Sequence, residues 1–301
     1  YIHGTANLDA VDIDGGAIDG AAIGSNSAST GAFSTISASG AVSLADGSAG
    51  SPTLTNTGDT NTGLYFSAAD EVAVATGGAD RMIIDSNSEI SLSNNDSGNF
   101  NTLFGKSAGL SLDAGSNNNV FVGEGVSDAS MDDATKNVGI GYQALSALTT
   151  GDGNTASGYQ ALYSNTTGID NTASGIYSLY ANTTGADNTA SGYNSLRSNT
   201  EGDYNTASGY RSLNSNTTGN RNTASGEQSL YSNTTGSDNT ASGYQSLYAN
   251  TTGADNTASG YQSLRSNTTG SSNTASGTQS LYSNTTGDNN TASGYQSLYA
   301  N

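Results

Sequence analysis

The chain has 301 residues, 33% of them apolar, with 40 Gly, 1 Pro, no Cys, no Trp and a formal net charge of −19. It lacks the basic stripe that a phosphate backbone requires, so no nucleic-acid partner is expected; without cysteine there is no disulfide framework, and no run nears the roughly 18 apolar residues of a membrane span, so no membrane insertion is expected. Apolar content this far below the roughly 45–50% of ordinary domains, combined with high net charge, usually gives disorder, so order has to come from repetition.

Residues 1–47 carry isolated large side chains, among them Ile13, Ile18, Ile23, Phe33, Ile36, Val42 and Leu44, in a background of Ser, Gly and Ala. So few large residues do not enclose a core within one chain. Three copies wound together do, which predicts a slender intertwined shaft. Residues 48–97 are denser in apolar alternation: Leu64 with Phe66, Val72 with Val74, Met82, Ile83 and Ile84, then Ile90 and Leu92. With "TGG" and "DSNS" as hairpin breaks, this predicts a small antiparallel β module.

Residues 98–301 are repeats. If the Asn of "NTASG" is offset 0, it falls every 17 residues from Asn137 to Asn290, and at spacings of 18 upstream to Asn119 and Asn101. Gly stands at offset 4 in all twelve units, Gly at offset 14 from Gly151 to Gly287, and Leu at offset 8 in ten units. Seventeen residues are too few for a helix pair, and suit one coil of an all-β, parallel β-solenoid. Two short strands per coil are expected, "NTASG" and "YQSLY", joined by the turn "NTTGxD". Stacking at about 4.8 Å per coil aligns identical offsets into ladders, in which Asn amides bond the Asn above and below. Val120 with Val122, and Val138 with Ile140, suggest that offsets 1 and 3 point inward. Leu162, Leu179, Leu196, Leu213, Leu230, Leu247, Leu264 and Leu281 form the expected core, thin enough to call for association.

"NVFVG" and "NVGIGYQAL" resemble the head repeat of trimeric autotransporter adhesins, and "NTASGYQSLYSNTTG" is similar to repeats in tail fibres of marine bacteriophages. The resemblance covers residues 101–301 and implies a left-handed parallel β-roll in a homotrimer; "TAS" replaces the adhesins' "VAI" in most coils. The segment "GDTNTGLY…EVAVATGG…RMIID" is likewise similar to a module found ahead of the distal parts of phage tail fibres.

Little in the chain points to chemistry. His3 is the only histidine and lies in a polar segment, so no Ser/His/Asp triad assembles. Nine acids lie between Asn137 and Asn301, eight in variable turns, where they read as solvated charges rather than paired catalytic carboxylates. Neither a cofactor nor a metal is expected. Tyrosine remains: offset 5 holds Tyr142, Tyr159, Tyr193, Tyr210, Tyr244, Tyr261 and Tyr295, and offset 9 holds Tyr163, Tyr180, Tyr231, Tyr248, Tyr282 and Tyr299. With offset 7 they are expected on one face, opposite the Leu. That stripe is a protomer contact, a solvated ladder, or a stacking surface for sugar rings.

The whole reads as a non-enzymatic, homotrimeric fibre of a phage virion, with other tail proteins as partners and a host polysaccharide or outer-membrane receptor at its distal end. The runner-up is an adhesin on a bacterial surface. Ice binding ranks third, because "TT" at offsets 12 and 13 is not an outward T-x-T pair. Tyr1 in place of Met, and a last residue inside a repeat, suggest a piece of a longer polypeptide.

Overall fold

The structure is a computed structural model that describes residues 44, 46–56, 58–84, 90–92 and 100–300. The expected shaft falls almost wholly outside the described residues, and no helix occurs among them.

Short β-rich runs separated by Gly and polar residues form a five-stranded antiparallel meander: β1 (Leu54–Asn56), β2 (Asp59–Tyr65), β3 (Val72–Thr76), β4 (Ala79–Ile84) and β5 (Ile90–Leu92). Gly77 and Gly78 join β3 to β4 with φ of 61° and 78°, as a two-residue turn with left-handed backbone at both positions demands. One face buries Tyr65, Ala73 and Ala75, packed by Ala49 and Ile83. The other carries the cross-strand row Leu54, Leu64, Val74 and Met82. Leu54 and Leu64 on that row are 49% and 44% exposed, so this face is uncovered in the single chain. The Tyr65 hydroxyl donates to Asp80 Oδ1, and this bond, reinforced by burial, pushes its pKa from 10.0 up to about 12.

Downstream, "TLF", "VFV", "VGI" and nine copies of "TAS" form the twelve strands β6 (Thr102–Phe104), β7 (Val120–Val122), β8 (Val138–Ile140) and β9 (Thr155–Ser157) through β17 (Thr291–Ser293). They make one parallel sheet in sequence order, with Thr over Thr, Ala over Ala and Ser over Ser. The chain therefore winds as a solenoid of 17-residue coils.

Each coil holds one strand, not two. In "YQSLY" the residues at offsets 6 and 8 adopt left-handed backbone, as in Gln245 and Leu247 with φ of 51° and 50°. Two such reversals in three residues bend the chain continuously. Tight turns result, with Ser246 N bonded to Gly243 O and Asn250 N to Leu247 O. Left-handed Leu costs roughly 1 kcal/mol. Burial of the side chain and a 3.0 Å bond from Leu247 N to Ser263 O in the next coil offset that cost.

The strand parity is also the reverse of that expected. Ala at offset 2 is buried throughout, while Thr and Ser at offsets 1 and 3 face outward, as in Thr240, Ala241 and Ser242. The cause is the corner Asn. Asn239 turns inward to donate from Nδ2 to Gly253 O at 2.8 Å and to Asn222 Oδ1 at 3.1 Å. With offset 0 inward, a period of two places offsets 2 and 4 inward and 1 and 3 outward. Asn250 makes the matching corner, donating to Gly253 O at 2.9 Å and to Asn233 Oδ1 at 2.8 Å. Gly253 thus receives both corners on one carbonyl, and a Cβ there meets Asn250 Oδ1 at 2.5 Å and Gly270 O at 2.4 Å. Gly243, with φ of 131°, leaves a Cβ 2.5 Å from Gly260 O.

From the coil of Asn171 onward the core is one Leu and one Ala per coil, flanked by buried Asn at two corners and Ser at offset 7, whereas the first coils also bury Phe121, Val126, Met131 and Leu148; all eight repeat leucines from Leu162 to Leu281 are fully buried.

Two outcomes are expected. Asn239→Ala removes partners from Asn256 N, Asn256 Nδ2 and Gly253 O, so it destabilises by on the order of 3 kcal/mol in urea unfolding, whereas Thr240→Ala, on the outer face, stays within about 0.5 kcal/mol. Tyr65 binds its proton more tightly when folded, so its contribution is full below pH 10 and declines as pH rises towards 12; Tyr65→Phe should flatten stability over that interval, measured by unfolding at each pH.

Candidate functional site

Three outward surfaces run along the solenoid: the hydroxyl sheet face, the turns at offsets 12–16, and the segment at offsets 5–10 that holds the tyrosines. The first is uncharged from β9 onward, with Thr and Ser outward on every strand. In the first three coils the same face is apolar, with Phe104 66% and Ile140 44% exposed.

Several of the turn acids are hydrogen-bonded across coils. Asp203 Oδ1 accepts from Ala186 N at 2.8 Å, Asp288 Oδ1 from Ser271 N at 2.7 Å, and Arg221 forks onto both oxygens of Asp238 at 2.6 and 2.9 Å. That fork holds the Asp238 carboxyl below the usual range. Asp113, Asp132 and Asp133 form a carboxylate group near the start of the solenoid; Asp113 accepts from Ser116 N at 2.9 Å and is held low by its bond from the Ser116 hydroxyl. These bonds make the Asp113 carboxylate a loop cap.

The tyrosines form two ladders. At offset 5, Tyr142 stacks on Tyr159, Tyr193 on Tyr210 and Tyr244 on Tyr261, with centroids 5.2, 5.5 and 5.3 Å apart. At offset 9, Tyr163 stacks on Tyr180, Tyr231 on Tyr248 and Tyr282 on Tyr299 at 5.2, 5.2 and 5.0 Å. Offset-5 rings are exposed, and offset-9 rings are half-buried apart from the exposed Tyr299. Offset 7 is not on this face, because its Ser or Ala is buried beside the Leu. The position between the ladders is offset 6, where Gln stacks on Gln: Gln245 Nε2 donates to Gln228 Oε1 at 2.8 Å, and Gln262 to Gln245 at 3.1 Å.

Arginine continues the ladders where tyrosine is replaced. The Arg265 guanidinium lies 5.2 Å from the Tyr248 ring and 5.8 Å from that of Tyr282, which makes a five-member stack from Tyr231 to Tyr299. A planar cation takes the place of a ring because both present flat faces at the coil spacing. Arg197 lies 5.3 Å from Tyr180 and 5.8 Å from Tyr177, and Arg211 5.1 Å from Tyr210.

Around Tyr177 all three lines depart from the repeat together. Offset 6 reads Tyr177, Asn194 and Arg211 in place of Gln, offset 9 reads Arg197 and Asn214 in place of Tyr, and offset 5 reads Ile176. Tyr177 sits edge-on to Tyr159, Tyr180 and Tyr193 at 5.4, 5.6 and 6.5 Å. Burial, then the neighbouring Tyr159, raises its pKa. The sequence pattern singled out the ladders and passed over offset 6, although three successive breaks in an otherwise continuous Gln run mark the place.

Comparison of the chain with protein-family models, curated proteins and solved structures finds no match in any of the three.

Arg265→Ala should interrupt the five-member stack and cost about 1 kcal/mol in urea unfolding, while Arg265→Tyr, which supplies the ring used elsewhere in the ladder, should stay within about 0.5 kcal/mol of the parent.

Proposed function

We propose that the chain is a structural, non-catalytic rod of an attachment fibre, assembled as a homotrimer and carried on a phage virion. The observation that supports it best is the closed bonding of the coils. In the coil that begins at Asn239, the N–H groups of Thr240, Gly243, Gln245, Leu247, Ala249, Thr251 and Asp255 all bond carbonyls of the coils on either side, at 2.8–3.1 Å. Such a body gains length by whole coils without new packing problems, as a spacer between an anchor and a target requires.

Trimerisation rests on two uncovered faces. The row Leu54, Leu64, Val74 and Met82 on the small sheet, and Phe104, Val122 and Ile140 on the solenoid sheet, are apolar and outward. A sister chain is the occupant that meets the same row in every copy, and the hydroxyl face of the later coils then pairs Thr and Ser across the same axis. The resemblances to tail-fibre modules and repeats favour the virion; "NVGIGYQAL" also supports the reading as a bacterial surface adhesin, which shares the trimer and the rod.

Light scattering on purified protein should give three times the chain mass of 30.0 kDa, and Ile140→Asp with Leu64→Asp should release monomers. A monomer from the parent chain at micromolar concentration contradicts the trimer. Immunogold label on purified virions, and none on uninfected cells, is the expected location; the reverse pattern favours the adhesin.

A further inference from the structure

We infer that the broken stretch of the tyrosine face, centred on Asn194, is a binding site for an acidic sugar residue. It deepens the reading of the chain as an attachment fibre by naming what part of it recognises.

A repeat protein meets its folding needs with the repeated residue, and the Gln of offset 6 does so with a side-chain ladder of its own. Three successive departures on that line cost this ladder locally. In exchange the coils gain groups that the chain itself leaves unused. Asn194 is 8% exposed, and its Oδ1 is buried without a hydrogen-bond partner, an arrangement that is costly unless a donor is supplied. It lies between Tyr177 and Arg211 on the offset-6 line, tied to both coils by Asn194 N to Ile176 O at 3.0 Å and Arg211 N to Tyr193 O at 2.9 Å. Arg197 and Arg211 flank it; each stacks on tyrosine, and neither makes an ion pair or a side-chain hydrogen bond among the described residues. Two guanidinium edges without a carboxylate are conspicuous on a chain of net charge −19.

The complement of these groups is specific. A buried amide oxygen asks for a hydroxyl donor, the guanidinium edges ask for a carboxylate, and the rings of Tyr177 and Tyr193 offer apolar surface to a pyranose. A carboxylated sugar, a uronate or a sialic-type acid, carries all three on one ring. The two guanidiniums give this stretch a local positive potential on an otherwise acidic surface, so anion capture is confined to it.

The test is titration calorimetry of the assembled protein with a galacturonate oligosaccharide, a sialylated oligosaccharide, and their neutral counterparts. At least one acidic ligand should bind ten-fold or more tightly than its neutral form, and raised salt should weaken it. The triple variant Tyr177→Gln, Asn194→Gln, Arg211→Gln restores the ladder used elsewhere; it should melt no lower than the parent and lose binding ten-fold or more. Equal affinity for acidic and neutral forms, no binding by either, or undiminished binding by the triple variant would each overturn the site. Mass and rod length, measured on the same samples, report separately on the fibre itself.

Discussion

From the coil of Asn154 onward, the solenoid hangs on one carbonyl per coil. The Gly at offset 14 offers its oxygen to the side chains of two Asn residues, one at each corner, and each Asn passes its own oxygen to the next coil. These Asn side chains are fully buried over most of the rod, where an unpaired amide is expensive, so the ladder acts as an all-or-none constraint. It forces Gly at offset 14 because a Cβ collides with the acceptor, and it forces the inward turn of offset 0. Strand parity, the outward hydroxyls and the inward Ala all follow.

The same constraint explains how so polar a sequence folds. From Asn171 onward the hydrophobic contribution is one Leu and one Ala per coil, less than an ordinary core provides, and the corner bonds take up the part that apolar volume plays in the first coils. A coil without neighbours has its ladder bonds unmade, so cohesion is a property of the stack. Phe104, Ile140, Leu54 and Leu64 are large apolar residues on outer faces and add nothing to the interior of the coils.

With the interior fixed, the offsets outside it are free to vary, and they vary differently. The turns drift through many residues and settle acids against backbone N–H groups. On the tyrosine face, Arg265 takes a ring's place within the offset-9 stack and Gln stacks on Gln along offset 6, whereas Glu227 and Thr278 interrupt the offset-5 rings. The stretch around Asn194 departs from the repeat on offsets 5, 6 and 9 together, whereas the departures at Glu227 and Thr278 leave the Gln and Tyr of the other two lines in place.

Much of this was legible from letters alone. Period, coil length, parallel in-register stacking, the Asn ladders, the buried Leu and the turning Gly follow from recurrence, because a residue repeated at a fixed offset in a stacked structure meets its own copies. The strand in "YQSLY", the inward Val and Ile of offsets 1 and 3, and the grouping of offset 7 with the rings were misread. Each error took local preference as the guide where a long-range bond decided. Left-handed Leu and Gln are unfavourable one residue at a time, and become stable only when the neighbouring coil supplies their hydrogen bonds. Val138 and Ile140 outside with Gly139 inside contradicts hydrophobic pattern, and holds because Asn137 turns inward to donate to Gly151 O. Recurrence in the letters carries the repeat and what stacks on what; which side of each strand faces inward, and which residues gather beside Asn194, depend on bonds between coils that no seventeen-residue segment makes on its own.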